Sequence, residues 1–80
     1  MRVRVRYYAS FRDATGKQEE WLDVPEGTTV QGIREHVRGL YESIARREQV
    51  LVAVNGAFPA LDRVILEGDD VAFFPPVSGG

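Results

Sequence analysis

Only one long stretch of this chain carries a helical period. Val30, Ile33, Val37 and Leu40 recur three and four residues apart, which places them on a single stripe of a helix. Arg34, Glu35 and Arg38 fall on the opposite side, facing water. Gly39 weakens the helix near its end, and Tyr41 to Gln49 continues with Ile44 and Ala45 facing inward beneath a charged Arg46-Arg47-Glu48 surface. The remaining apolar runs have strand character, so the stripe must be buried against a sheet.

Those runs are legible by parity. Met1 to Tyr8 sets Met1, Val3, Val5 and Tyr7 on one side and Arg2, Arg4, Arg6 and Tyr8 on the other, the pattern of a half-buried strand with a solvated arginine row. Ala9 to Lys17 is a turn-forming mixture, able to make a short helical turn, with Phe11 folding back over the core. Lys17 to Val24 is the second strand, with Leu22 and Val24 inward and Glu19, Trp21 and Asp23 outward; Trp21 is expected to be partly covered by neighbouring side chains. Pro25-Glu26-Gly27 breaks the strand, and Thr28 or Thr29 can cap the helix, Thr28 in a capping box with Gln31. Val50 to Val54 is apolar throughout and is expected inside the sheet. Asn55-Gly56 suits a tight reversal, Phe58 to Leu66 reads as loop around Pro59 with at most a short edge strand, and Glu67-Gly68-Asp69-Asp70 is the last turn. It delivers the chain into Val71-Ala72-Phe73-Phe74, a final strand.

The order β-β-α-β-β predicts an α+β domain, a mixed sheet packed on one main helix and spanning residues 1–80 as a single unit. Pairing the first and last strands would make that central pair parallel, a pairing that periodicity alone leaves open.

Composition removes several kinds of chemistry. With no cysteine and a lone histidine, His36, neither a thiolate–imidazole pair nor a Cys/His metal cluster can be assembled, and no metal site is expected. His36 reads as a surface or boundary residue beside the Ile33/Val37 stripe. No phosphate-cradling Gly-x-x-x-x-Gly-Lys loop is present. A net charge of −2 argues against a nucleic-acid partner. Adjacent Asp69 and Asp70 diverge in a strand and make no catalytic dyad, but with Glu67 they can steer basic partners. The amino terminus offers no uninterrupted apolar run, so neither a membrane nor an export role is expected, and the cytoplasm is the expected compartment. Nine of the ten basic residues are arginine; Lys17 is the only lysine, a single acceptor for any ubiquitin-like chain.

What remains is the end of the chain. Pro75-Pro76 stops the last strand and favours extended backbone. Residues 75–80 can then carry the carboxylate of Gly80 roughly 20 Å from the last ladder position. Gly79 and Gly80 leave that end without side chains, suited to a narrow channel in another protein.

The run Leu66 to Gly80, and above all Phe-Phe-Pro-Pro-Val-Ser-Gly-Gly, closely resembles the end of MoaD-type ubiquitin-like proteins, the small sulfur-carrying subunits of molybdopterin synthase. Val52-Ala53-Val54-Asn55-Gly56 and the first strand share in the resemblance, which covers essentially the whole chain. It implies the β-grasp, or ubiquitin-like, fold. It further implies a carrier that is not catalytic alone and binds no cofactor itself. An adenylyltransferase akin to ubiquitin-activating enzymes would use ATP to activate Gly80, a sulfur-donating enzyme would supply sulfur, and the molybdopterin synthase large subunit would receive it for the pyranopterin precursor. Gly80 would carry the thiocarboxylate. Gly79, Ser78, Val77, Pro76, Pro75 and Phe74 would contact the partner, Phe74 as an exposed aromatic anchor. The same chemistry also serves thiamine or tRNA thiolation, and a Gly-Gly end also suits a protein modifier; a plain interaction module is the remaining alternative.

Overall fold

The computed structural model describes residues 1–76. Its elements are β1 (Arg2–Tyr7), α1 (Ser10–Thr15), β2 (Glu19–Asp23), α2 (Val30–Leu40), α3 (Glu42–Ala45), β3 (Leu51–Val54) and β4 (Asp70–Phe74). The sheet order is β2-β1-β4-β3. β1 and β4 form the central parallel pair, with Val5 opposite Val71 and Tyr7 opposite Phe73. β2 and β3 flank them, both antiparallel to their neighbours.

One face of the sheet is buried, and its residues are those of the inward parity: Val3, Val5 and Tyr7 from β1, Leu22 from β2, Val71 and Phe73 from β4, Val52 and Val54 from β3. Val30, Ile33 and Val37 of α2 and Ile44 of α3 belong to the same core, and Phe11 of α1 closes it as a fully buried plug. Full burial of side chains this size removes each from water at a gain of about 1.5–3 kcal/mol.

β3 is an edge strand, which corrects the expectation that Val50 to Val54 runs inside the sheet. Its uniform apolarity reflects coverage rather than central pairing. Val52 and Val54 point into the core, and outward-facing Ala53 pairs with Ala72, both small and buried, so only Leu51 reaches solvent.

The helix departs from expectation at both ends. Of the two expected caps Thr29 is the one that forms, its hydroxyl accepting from the Gly32 N–H at 3.0 Å and satisfying one of the donors a helix start leaves free. Thr28 instead donates to the Pro25 carbonyl at 2.6 Å, and the Gln31 side chain bonds to Arg34 and Glu35, so no capping box forms. The next free donors, Val30 and Gln31 N–H, reach the carbonyls of Arg63 and Leu61, both at 2.9 Å. The 58–66 segment is thereby held against the helix start as irregular chain; within it, Val64 makes an isolated bridge to Thr29. At the other end α2 stops at Leu40, which is half exposed, because Tyr41 turns to extended backbone at φ −130° and ψ 108°. Tyr41 and Ile44 take the inward place that the stripe assigned to Leu40, while Ala45 is only half-buried.

Candidate partner-binding face at the foot of the tail

β4 carries the chain out of the sheet, and its two aromatic residues point to opposite faces. Phe73 is fully buried and stacks on Tyr7 with ring centroids 5.8 Å apart. Phe74 points outward and stacks nearly flat on Tyr8, at 4.6 Å and 9° between planes. The parallel register causes this pairing. Tyr7 lies opposite Phe73, and the Tyr8 N–H donates to the Phe73 carbonyl at 3.1 Å, so the next residue along each chain meets its counterpart on the outer face.

Two further residues complete the face. Leu51 sits opposite Phe74 across the β3–β4 ladder. Phe58 approaches Phe74 at 6.3 Å, delivered by the reversal at Asn55-Gly56, where both residues have positive φ (53° and 80°) and Val54 and Ala57 close the turn by reciprocal backbone bonds. Asparagine and glycine tolerate those angles at least cost. Tyr8 is 38% exposed, Leu51 37% and Phe58 66%. Phe74 is half-buried because it lies among them, Pro75 is half-buried, and Pro76 is exposed. This is a cluster of large apolar side chains from four separate segments, on the outer face where the last strand ends.

The rest of the outer face is charged. Arg4 and Arg6 lie 3.6 and 3.4 Å from Asp70, and Arg6 lies 3.9 Å from Glu19. Such partly exposed pairs add little stability. A cavity of about 130 Å³ opens between Arg6, Tyr8 and Arg12 beside the aromatic cluster. At the far edge Trp21 is 56% exposed, opposite Arg4 and with the Arg2 guanidinium 5.0 Å from the centre of its ring.

Two carboxylates brace the elements that present the face. Asp69 accepts from Arg63 at 2.8 Å, from the Leu66 N–H at 2.7 Å and from Asn55 Nδ2 at 2.9 Å. Asn55 in turn accepts from the Asp70 N–H at 2.9 Å. The turn before β4 is thus tied to the turn after β3. Arg63, chiefly, holds the Asp69 carboxyl at about 2, with the Leu66 and Asn55 bonds adding to it against the cost of burial. Asp69 is consumed inside the domain, which corrects its expected part in steering basic partners. Glu20 is the second brace, accepting the phenol protons of Tyr7 at 2.6 Å and Tyr41 at 2.5 Å and the Lys17 ammonium at 3.1 Å. Burial pushes this carboxyl up, but the three hydrogen bonds together outweigh it and hold it below its ordinary value.

Of the residues singled out in the sequence, Phe74, Pro75 and Pro76 stand together at the foot of the tail. Val77, Ser78, Gly79 and Gly80 lie outside the described residues. Tyr8, Leu51 and Phe58 were not among the expected partner contacts. Outward parity marks Tyr8, but its place beside Phe74 follows only from the parallel pairing, and Phe58 sits in a loop with no period to read. His36 is exposed on α2, as expected for a surface histidine. Among the described residues no helix is long and apolar enough to cross a membrane.

The fold and the position of its last strand define a ubiquitin-like β-grasp domain. The chain belongs to the ThiS family, whose model matches residues 5–80, and it is a sulfur carrier of the ThiS and MoaD type. It is 34% identical to the molybdopterin synthase sulfur carrier subunit of Escherichia coli K12, an alignment covering 98% of this chain and 99% of that one. It is 27% identical to small archaeal modifier protein 3 of Haloferax volcanii over the full length of both. A molybdopterin converting factor subunit 1 from Pyrococcus furiosus superposes with a TM-score of 0.88 at 32% identity, covering 96% of this chain and 99% of that chain. A BexX/CysO complex from Amycolatopsis orientalis contains a chain that superposes at 0.67 with 26% identity, covering 98% and 99%.

Proposed function

We propose that this protein is the small, sulfur-donating subunit of a molybdopterin synthase, with Gly80 as the reactive residue. A free carboxylate is a poor electrophile. An adenylyltransferase partner would join it to the α-phosphate of ATP with release of pyrophosphate, and a sulfur nucleophile delivered by a sulfur-donating enzyme would then displace AMP. The resulting thiocarboxylate holds negative charge on a soft, nucleophilic sulfur that attacks an activated carbon of the pyranopterin precursor in the large subunit's pocket. ATP is used by the activating partner, and this chain needs no cofactor of its own.

Each tail residue has a part. Gly79 and Gly80 keep the end free of side chains, Val77 and Pro75-Pro76 hold the approach extended, and Ser78 contacts the partner. The observation that carries the reading is the apolar cluster of Tyr8, Leu51, Phe58 and Phe74 at the foot of that tail. Aromatic residues grouped around a buried centre are the composition of a partner-binding core, and here the same strand that seats the partner would aim the tail. The full-length likeness to a molybdopterin synthase sulfur carrier supports the choice of pathway.

Reconstitution with a molybdopterin synthase large subunit tests the reading. The thiocarboxylated protein should convert the precursor to molybdopterin, and Gly79→Val should leave the fold intact while blocking transfer. Failure to bind the large subunit, with sulfur passed instead to a thiamine or tRNA-thiolation acceptor, would reassign the pathway. The likeness to an archaeal modifier protein favours a second reading, attachment of Gly80 to lysines of other proteins. High-molecular-weight conjugates in extracts are its test.

A further inference from the structure

The only lysine in the sequence is not a free surface amine. Lys17 Nζ donates to Glu20 Oε1 at 3.1 Å and to the Tyr41 hydroxyl at 3.2 Å, and lies 5.8 Å from the centre of the Tyr41 ring. Its backbone is fixed as well, by reciprocal bonds with the Thr15 hydroxyl at 3.1 and 3.2 Å. The acceptors are themselves anchored. Glu20 Oε2 takes both the Tyr41 proton and the proton of Tyr7, a core residue, so the carboxylate cannot swing away from the ammonium without breaking bonds into the core. The Lys17 side chain is half exposed, so a bulky reagent can reach it. What holds it back is chemical.

We propose that the Glu20–Tyr41 pair guards Lys17 against acylation, so that the domain donates its own activated end but is a poor acceptor for the end of another copy. That consequence rests on the tail chemistry under Proposed function; the guarding does not. Acyl transfer to lysine needs the neutral amine. The nitrogen lone pair forms the C–N bond to the carbonyl of an acyl-adenylate, the C–O bond to AMP breaks with AMP taking the electron pair, and the ammonium proton goes to solvent. In Lys17 the proton that must leave is held between a carboxylate and a phenol oxygen. The Tyr41 hydroxyl and Glu20 together also hold the ammonium above its ordinary lysine range. The groups facing it are Glu20 and Tyr41 directly and Tyr7 through Glu20, and of these only the carboxylate is charged at neutral pH. A carrier whose sole lysine is withdrawn in this way does not consume its activated form in lysine-linked chains of itself.

The test uses the intact protein and N-hydroxysuccinimidyl acetate, with Nα-acetyl-lysine amide in the same tube as reference and acetylation at Lys17 followed by peptide mass mapping. Lys17 should react about threefold to tenfold more slowly than the reference, the effect of giving up a hydrogen bond of ordinary strength before the amine is free. Glu20→Gln and Tyr41→Phe, each checked for fold by circular dichroism, should bring the rate back toward the reference. Wild-type Lys17 reacting at the reference rate overturns the proposal and needs no variant to do so. A slow rate that neither folded variant changes would trace the protection to access and overturn it equally. Because the reagent acylates without any activation of Gly80, the result stands or falls apart from the tail reading.

Discussion

The two faces of β4 are made from one five-residue strand and do different work. Inward, Val71 and Phe73 are fully buried, and Phe73 lies against Tyr7, whose hydroxyl is tied to Glu20. Outward, Ala72 is small and covered, and Phe74 joins Tyr8, Leu51 and Phe58 in a cluster that solvent still reaches. Neighbouring phenylalanines therefore have separable surroundings: one secures the strand, the other is the one we propose for a partner. In a domain this small, a strand can be both core and handle only because its parity splits the two tasks.

The comparison breaks most visibly at Phe73. Phe73→Ala should cost about 3–5 kcal/mol, a large share of the ~5–15 kcal/mol typical of a domain, seen as a lower urea midpoint. Phe74→Ala should do the reverse. Its urea midpoint should move little, while titration calorimetry with the large subunit should show a loss of ~2 kcal/mol, or about thirtyfold in affinity. Equal destabilisation by both substitutions would erase the distinction between the faces. Tyr41→Phe removes one of the bonds that brace the inner side and should cost about 1 kcal/mol, measured by the same urea titration.

The effect at Asp69 is read from the pH dependence of stability rather than from a single midpoint. The Asp69 carboxyl sits at about 2, below its ordinary 3.8, so the stability it contributes is complete above the ordinary value and is lost as pH falls through that interval towards 2. Asp69→Asn should flatten that limb of the stability–pH curve and leave the outer cluster's affinity for its partner unchanged. A curve of the same shape in the variant would remove Asp69 from the account of how β4 is held.

Parity made most of this readable in advance. The inward sets of β1 and β2 and the buried part of the helical stripe follow from period, since burying one face fixes which side chains point in. Partnering between distant segments is a different kind of information. The apolar run of β3 reports that it is covered but not that it lies at an edge. Leu40 keeps the helical spacing yet is released to solvent because Tyr41 bends the chain towards Glu20. Asp69 reads as a surface acid until Arg63, Asn55 and the Leu66 N–H are brought round it. The site was legible in the same measure. Phe74, Pro75 and Pro76 are continuous in sequence, whereas Tyr8, Leu51 and Phe58 join them only through the sheet.

The central claim is that the terminal residue is the chemical centre and the folded body its mount. Intact-mass spectrometry after incubation with ATP, sulfide and the adenylyltransferase tests it most directly. The account predicts a gain equal to one oxygen replaced by sulfur, located at Gly80 and absent from a chain ending at Gly79. An unchanged mass in the full chain with the adenylyltransferase shown to be active, or the same gain in the shortened chain, would contradict it.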